Sequence, residues 1–295
     1  MNKSSPVRNI SDTALWVAYF RALETQRPDA LFRDPYAERL AGERGFQIAN
    51  TLPDGNKHEW AWVARTHLFD EFLLREIHAG AELVVNLAAG LDARPYRMQL
   101  PPKLQWVEVD LPEVISYKEE VLSNVQPNCR LERICLDLSS VDGRRSLFAD
   151  LNHRARKTIV MTEGLLIYFT AEEVGSFARD LASASHFFSW IIDLASPGQL
   201  RLMQATTGLQ LNSVGAAFRF GPKEGAEFFV PHGWIPQDVQ GLLKTAARVG
   251  RAPAQLSTLL PEPKVMPPGY PWTGVCLLRN SWQDPPDILG KREQD

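Results

Sequence analysis

The residues of this chain best placed to do chemistry follow short apolar runs. Val84-Val85-Asn86-Leu87 leads into Ala88-Ala89-Gly90-Leu91-Asp92-Ala93-Arg94. Small side chains at 88–90 let a ligand approach the main chain closely, and Gly90 can take a positive φ that other residues resist. A tight strand-to-helix turn with no ligand is the competing reading. The next run ends in Val109-Asp110-Leu111-Pro112, with Asp110 about 20 residues beyond Gly90. That is the usual distance for an acid that accepts hydrogen bonds from both hydroxyls of a ribose; a cap on the following helix is the alternative. Asp137, followed by Leu138, closes a third run. Its carboxylate could take the amino group of an adenine while the neighbouring backbone amide meets a ring nitrogen, although capping a helix over 139–147 competes. Glu163 closes a fourth run. An acid beside a buried strand is tolerated where a ligand cation faces it, or where Arg65 or Arg94 pairs with it.

The elements that must hold these residues can be read from periodicity. Apolar runs of strand length occur at 83–87, 106–109, 131–136, 158–161 and 187–194, separated by helix-like segments. Continuous rather than alternating runs predict strands buried on both faces. Their alternation with helices predicts a parallel, doubly wound α/β sheet, which binds ligands beyond the carboxyl ends of its strands. The first 80 residues predict helices instead. Ser11 or Asp12 can cap a helix over 14–23, a second short helix follows Asp34-Pro35, and a third spans Glu59 to His78. Val63, Leu68, Phe69, Phe72, Leu73 and Ile77 give that third helix an apolar stripe, and Gly80 stops it. This divides the chain into a helical cap over 1–80 and a ligand-binding domain over 81–295, joined as one structural unit. Beyond residue 194, the segment 196–230 predicts an active-site lid with a helix near 200–211. A further helix is expected over 237–247, an irregular proline-rich stretch over 261–271, and a late edge strand over 274–278.

Composition narrows the partners. The chain has 295 residues, a net charge of −3, 44% hydrophobic and 23% charged residues. That permits a sizeable core and gives no electrostatic case for nucleic acid or an anionic membrane. The three cysteines, Cys129, Cys135 and Cys276, lack metal-ligand spacing and predict neither a metal site nor a disulfide framework. Lys3 and Arg8 are followed by Asp12 before any apolar run develops, so no signal peptide is expected, and no stretch approaches the roughly 20 apolar residues of a membrane span. A cytoplasmic protein is the expectation.

Taken in order, these pieces resemble the leucine carboxyl methyltransferase family, in particular its bacterial branch of S-adenosylmethionine-dependent and polyketide O-methyltransferases. The resemblance is carried by Ser11-Asp12-Thr13-Ala14, Arg27-Pro28-Asp29-Ala30, Asp34-Pro35-Tyr36-Ala37, Ala64-Arg65-Thr66, residues 86–94, Val109-Asp110-Leu111-Pro112, Asp137-Leu138 and Thr162-Glu163-Gly164-Leu165-Leu166-Ile167-Tyr168. It spans about two thirds of the chain. It implies a class I methyltransferase, with a Rossmann-like sheet and an added N-terminal helical layer, that uses S-adenosylmethionine. It further implies that Arg65 pairs with the methionine carboxylate of that cofactor, with Arg21 a second candidate. Asp110 would hold the ribose, Asp137 and Leu138 the adenine, and Glu163 would sit by the methionine moiety. The family usually writes the turn as Gly-Ala-Gly-Leu-Asp-Thr-Arg; here Ala88 replaces the first glycine and Ala93 the threonine.

The expected reaction is displacement by an oxygen on the sulfonium methyl, with a small polyketide-like molecule as acceptor. An ionised carboxylate acceptor needs no base, whereas a hydroxyl is helped by one. His186 and His232 are candidates for that base, although a lone histidine is more often structural. Tyr168, Trp190 and Arg219 are candidates for the acceptor pocket; the first two are equally explained as core and the third as a solvated charge. Other readings are a nicotinamide-dependent oxidoreductase, for which Ala88, Gly90 and Ala93 form a degraded fingerprint but no Tyr-x-x-x-Lys follows, a non-catalytic cofactor-binding protein, and carboxyl methylation of a protein C-terminus.

Overall fold

The computed structural model describes residues 12–51, 58–212, 215–259 and 269–281. Ser11 and most of the proline-rich 261–271 stretch lie outside them.

Five parallel strands alternate with helices, as the spacing requires. They are β1 (Leu83–Leu87), β2 (Gln105–Asp110), β3 (Arg130–Cys135), β4 (Thr158–Thr162) and β5 (Phe187–Ala195). Two more, β6 (Trp234–Gly241) and β7 (Thr273–Asn280), complete a seven-stranded sheet in the order β3-β2-β1-β4-β5-β7-β6. β7 runs antiparallel to both of its neighbours. The order reverses between β1 and β4, so a crevice opens at the carboxyl ends of the central strands.

Both faces of the sheet are covered. Val85 and Leu87 of β1 face Phe148 and Leu151 of α6 (Val141–Asn152) and Val174, Phe177 and Leu181 of α7 (Ala171–Ala182). Val84 faces the other side, against Leu68, Phe69 and Phe72 of α3 (Glu59–His78) and Leu242 and Ala246 of α10 (Leu242–Arg248). Every residue of β1 and β4 is buried, which is why these two read as continuous apolar runs. β3 departs from that expectation. As an edge strand it carries Arg130, Glu132 and Arg133 and is only partly covered.

The N-terminal helices α1 (Asp12–Gln26) and α2 (Ala37–Thr51) pack together, and Ala18, Leu40 and Ala41 press on Leu91, Ala93 and Tyr96 just beyond β1. Asp12 pairs with Arg44 at 2.5 Å, tying one helix to the other. Gly80 ends α3 with φ 93°, as its position predicts. The cap therefore rests on the turn after β1, where the sequence puts the ligand.

Three expectations for the C-terminal third are corrected. Residues 237–247 are not one helix: β6 occupies them up to Gly241, and α10 begins at Leu242. Pro236 is tolerated because β6 is the outer strand and its ladder shifts register between Pro236 and Asp238. The stretch 274–278 is a strand but not an edge; it lies between β5 and β6 with Val275, Cys276, Leu277 and Leu278 buried. The helix near 200–211 is two, α8 (Pro197–Ala205), capped by the Ser196 hydroxyl, and α9 (Gly208–Leu211).

Candidate functional site

The strand ends supply the site. Leaving β1, the chain turns at Ala88 and Gly90, both with positive φ, 55° and 50°. The turn is closed from β2: one oxygen of Asp110 accepts from the Gly90 amide at 2.6 Å and the other from the Leu111 amide at 2.7 Å. Each carboxylate oxygen keeps a further lone pair for a ligand. Burial pushes the Asp110 carboxyl up and the two amides only partly oppose it. Hydroxyl donors from a ligand would restore that loss.

Ala88 is the described non-glycine residue with positive φ, a conformation that costs an L-residue about 1–2 kcal/mol. A glycine at this position would avoid it. Ala88→Gly is expected to leave stability unchanged or to raise it by up to about 1 kcal/mol, since glycine's unfolded-state entropy takes back part of the relief. At Ala93, where φ is −112°, the same substitution relieves nothing and is expected to cost about 0.5–1 kcal/mol. Urea unfolding of both variants checks this; equal losses at the two positions would refute strain at Ala88.

Behind the turn lies a buried charge network. Arg94, 2% exposed, donates to Asp70 at 2.6 Å, Asp92 at 3.0 Å and Glu163 at 2.8 Å. Arg97 also reaches Asp70, at 2.7 Å. Arg65 of α3 donates to Glu163 at 3.1 Å and to Asp193 at 3.0 Å, with its guanidinium 4.6 Å from the centre of the Trp62 ring. Glu163, at the tip of β4, is thus held by both arginines that the sequence named as its possible partners. Asp193, near the tip of β5, also accepts from the Gly164 amide at 2.7 Å. Burial pushes the Asp193 carboxyl up; Arg65 and Gly164 oppose this, and the charge of Glu163 adds to it.

Burial pushes the Asp92 carboxyl up as well, but Arg94, Lys118, Arg97 and Arg21 outweigh it and bring it down to about 2. A carboxyl lowered by folding stabilises the protein above its unfolded value near 3.8 and loses that contribution as pH falls towards 2. The loss is about 2 kcal/mol. Between pH 4 and 2, the native protein is therefore expected to lose stability more steeply than Asp92→Asn. Parallel slopes in chemical denaturation would refute the assignment.

Arg65, Ala88, Gly90, Asp110, Leu111, Asp137, Leu138, Glu163 and Tyr168 all line one cavity of about 1200 Å³. Asp137 also accepts from the Ser139 amide at 2.9 Å, while Ser140 rather than Asp137 caps α6. Arg21 lines the cavity, yet it donates to Asp34 at 2.9 Å and to the Leu91 carbonyl at 2.5 Å, so its described bonds support the turn.

Four candidates lie elsewhere. Trp190 is fully buried on β5, against Phe229 and Trp234, and its indole donates to Thr162. Arg219 is exposed, with its amide donating to the Ile167 carbonyl. His186 sits at the opposite end of β5 from the crevice, bonded to the Asn152 carbonyl. His232 bonds Arg179, and neither histidine lines the cavity. The sequence reading missed Asp193, although it follows Ile191 and Ile192 much as Asp110 follows Val109. It also missed Trp60, Trp62 and Trp272 in the cavity wall, for which no local spacing gives a signal.

The donor set suits an adenosine-linked amino acid. It offers acceptors at β2 for a ribose, arginine N–H groups for a carboxylate, and two carboxylates beside them for an ammonium or sulfonium. The sheet order and this site together define the S-adenosylmethionine-dependent methyltransferases of class I. The leucine carboxyl methyltransferase profile matches residues 14–182. A protein of Frankia alni named "putative S-adenosyl-L-methionine-dependent methyltransferase" is 34% identical over 269 residues, covering 83% of this chain and 90% of its own. One of the same name from Mycobacteroides abscessus is 32% identical, covering 72% and 74%. A Streptomyces avermitilis protein of the DUF574 family shares the fold at TM-score 0.50 and 13% identity, over 89% of this chain and 96% of that one. The chain belongs to the leucine carboxyl methyltransferase family, which answers the nicotinamide alternative.

Proposed function

We propose that this methyltransferase transfers the methyl group of S-adenosylmethionine to a carboxylate or hydroxyl oxygen of a small molecule. The observation that carries this reading is the continuity of the cavity. It runs from the strand-end acids to walls built by the cap and by α8 and α9, so cofactor and acceptor can lie side by side in one cavity.

The cofactor supplies an electrophilic methyl on a sulfonium. Asp110 accepts from the ribose hydroxyls, and the Asp137 carboxylate and Leu138 amide read the adenine edge. Arg65 turns its remaining N–H groups to the methionine carboxylate, and Glu163 and Asp193 place negative charge beside the cationic groups. The protein's main contribution is alignment of the two reacting atoms and exclusion of water.

Titration calorimetry with S-adenosylmethionine and with NAD tests the reading. Micromolar binding of the first with none of the second is expected, followed by methyl transfer in a screen of carboxylic acids and phenols. A preference for NAD, or methylation confined to a polypeptide C-terminus, would overturn it.

A further inference from the structure

The charges around the cavity are unevenly placed. Its acidic groups Asp92, Asp110, Asp137, Glu163 and Asp193 stand at or just beyond strand ends, and Arg65 is clamped between two of them. The opposite wall comes from α1, the start of α3, α8, α9 and residues 253–256 and 270–274. Apart from Arg21, held by Asp34 and the Leu91 carbonyl, and His58, the described lining residues of that wall carry no ionisable acid or base stronger than tyrosine. Its surface is made of side chains such as Trp60, Trp62, Met203, Leu211, Phe218 and Trp272.

Neutral polar groups also line the cavity, within electrostatic reach of Arg65 and Asp193. The Tyr168 hydroxyl is hydrogen-bonded to Thr13, and both residues line the cavity. The Tyr168 ring lies 5.6 Å from that of Phe218. Burial pushes the Tyr168 hydroxyl up, so it stays protonated at neutral pH. A cavity of about 1200 Å³ also exceeds the roughly 300–1000 Å³ of a pocket for one ligand, leaving room for a second molecule.

We propose that the acceptor is an uncharged, lipophilic molecule that presents a hydroxyl group, and that the cavity selects against carboxylates. This rests on the methyltransferase reading of the same site. An acceptor carboxylate would lose its hydration against an apolar wall. The described arginines that line the cavity are already paired, Arg65 with Glu163 and Asp193 and Arg21 with Asp34. A neutral ring system keeps its favourable transfer to the aromatic wall, and its hydroxyl finds the Tyr168–Thr13 pair; the proton it loses as the O–CH3 bond forms would pass to a carboxylate of the same cavity, Asp193.

Calorimetry of the full chain with 2-naphthol and 2-naphthoate at pH 7, each with and without saturating S-adenosylhomocysteine, tests the proposal. Naphthol is expected to bind at least tenfold more tightly than naphthoate. Met203→Lys, which puts a cation into the apolar wall, is expected to shift that ratio at least tenfold towards naphthoate. Leu202→Lys, on the half-exposed neighbouring position, repeats the test should the first variant fail to fold. Equal or tighter binding of naphthoate to the native protein, or binding of neither probe, would overturn the proposal. Failure of S-adenosylhomocysteine to bind would instead remove the cofactor reading, and the ratio measured without it still decides this one.

Discussion

Asp110→Ala is expected to weaken S-adenosylmethionine binding about 100-fold or more. In the proposed cofactor site the carboxylate takes two ribose hydroxyls, and hydrogen bonds to a charged group contribute about 1.5–3 kcal/mol each. About 3 kcal/mol is roughly a factor of 100 in affinity. The substitution also strips the Gly90 amide of the acceptor that holds the turn at 2.6 Å. Asp110→Asn retains one acceptor oxygen and should fall between the native protein and the alanine variant. Calorimetry reads the three affinities. A change of less than about threefold in Asp110→Ala would remove Asp110 from the cofactor site.

The largest loss of stability is expected from Arg94→Ala. Its guanidinium is shared among Asp70, Asp92 and Glu163, with side-chain exposures of 12%, 10% and 14%. Removing one partner of a buried ionic group costs about 3–5 kcal/mol, because the remaining charges lie uncompensated. With an unfolding entropy of about 2.1 cal/mol/K per residue, a chain of 295 residues loses roughly 1.6 °C of Tm per kcal/mol, so a fall of about 5–8 °C is expected in thermal unfolding. Arg145 provides the contrast. It also pairs with an aspartate, Asp180, but its side chain is 59% exposed, and Arg145→Ala is expected to leave Tm nearly unchanged. Similar shifts for the two variants would refute the network's role.

Much of this architecture was legible in the sequence, for reasons visible in particular elements. β1 and β4 are covered on both faces, so their sequences are uninterrupted apolar runs, and the acids that follow are pinned to the crevice by topology. The α3 stripe and the Gly80 stop follow from local geometry alone. What was not legible depends on long-range pairing. Residues 237–241 of β6 read as the start of a helix because none of them but Gly241 is buried and they run straight into α10, and only the partner β7 makes them a strand. Nothing local shows that β7 is internal, since both of its neighbours, β5 and β6, precede it in the chain. Trp190 and the two histidines had the right chemistry near the right strand. For Trp190 and His186, the face and the end of β5 that each occupies are set by packing and register, while His232 lies ahead of β6, bonded to Arg179. The tryptophans of the cavity wall are brought together from separate segments, leaving no spacing to read.

The place of β7 bears on how a growing chain completes itself at the ribosome. The strand that lies between β5 and β6 is the last described element to be synthesised. Until residues 273–280 emerge, the nine residues of β5 present an unpaired row of backbone N–H and C=O groups, mostly apolar in side chain. A free edge of that kind is a template for another chain. A nonsense codon ahead of Thr273 is therefore expected to yield insoluble protein rather than a shortened enzyme, because the same strand carries Asp193.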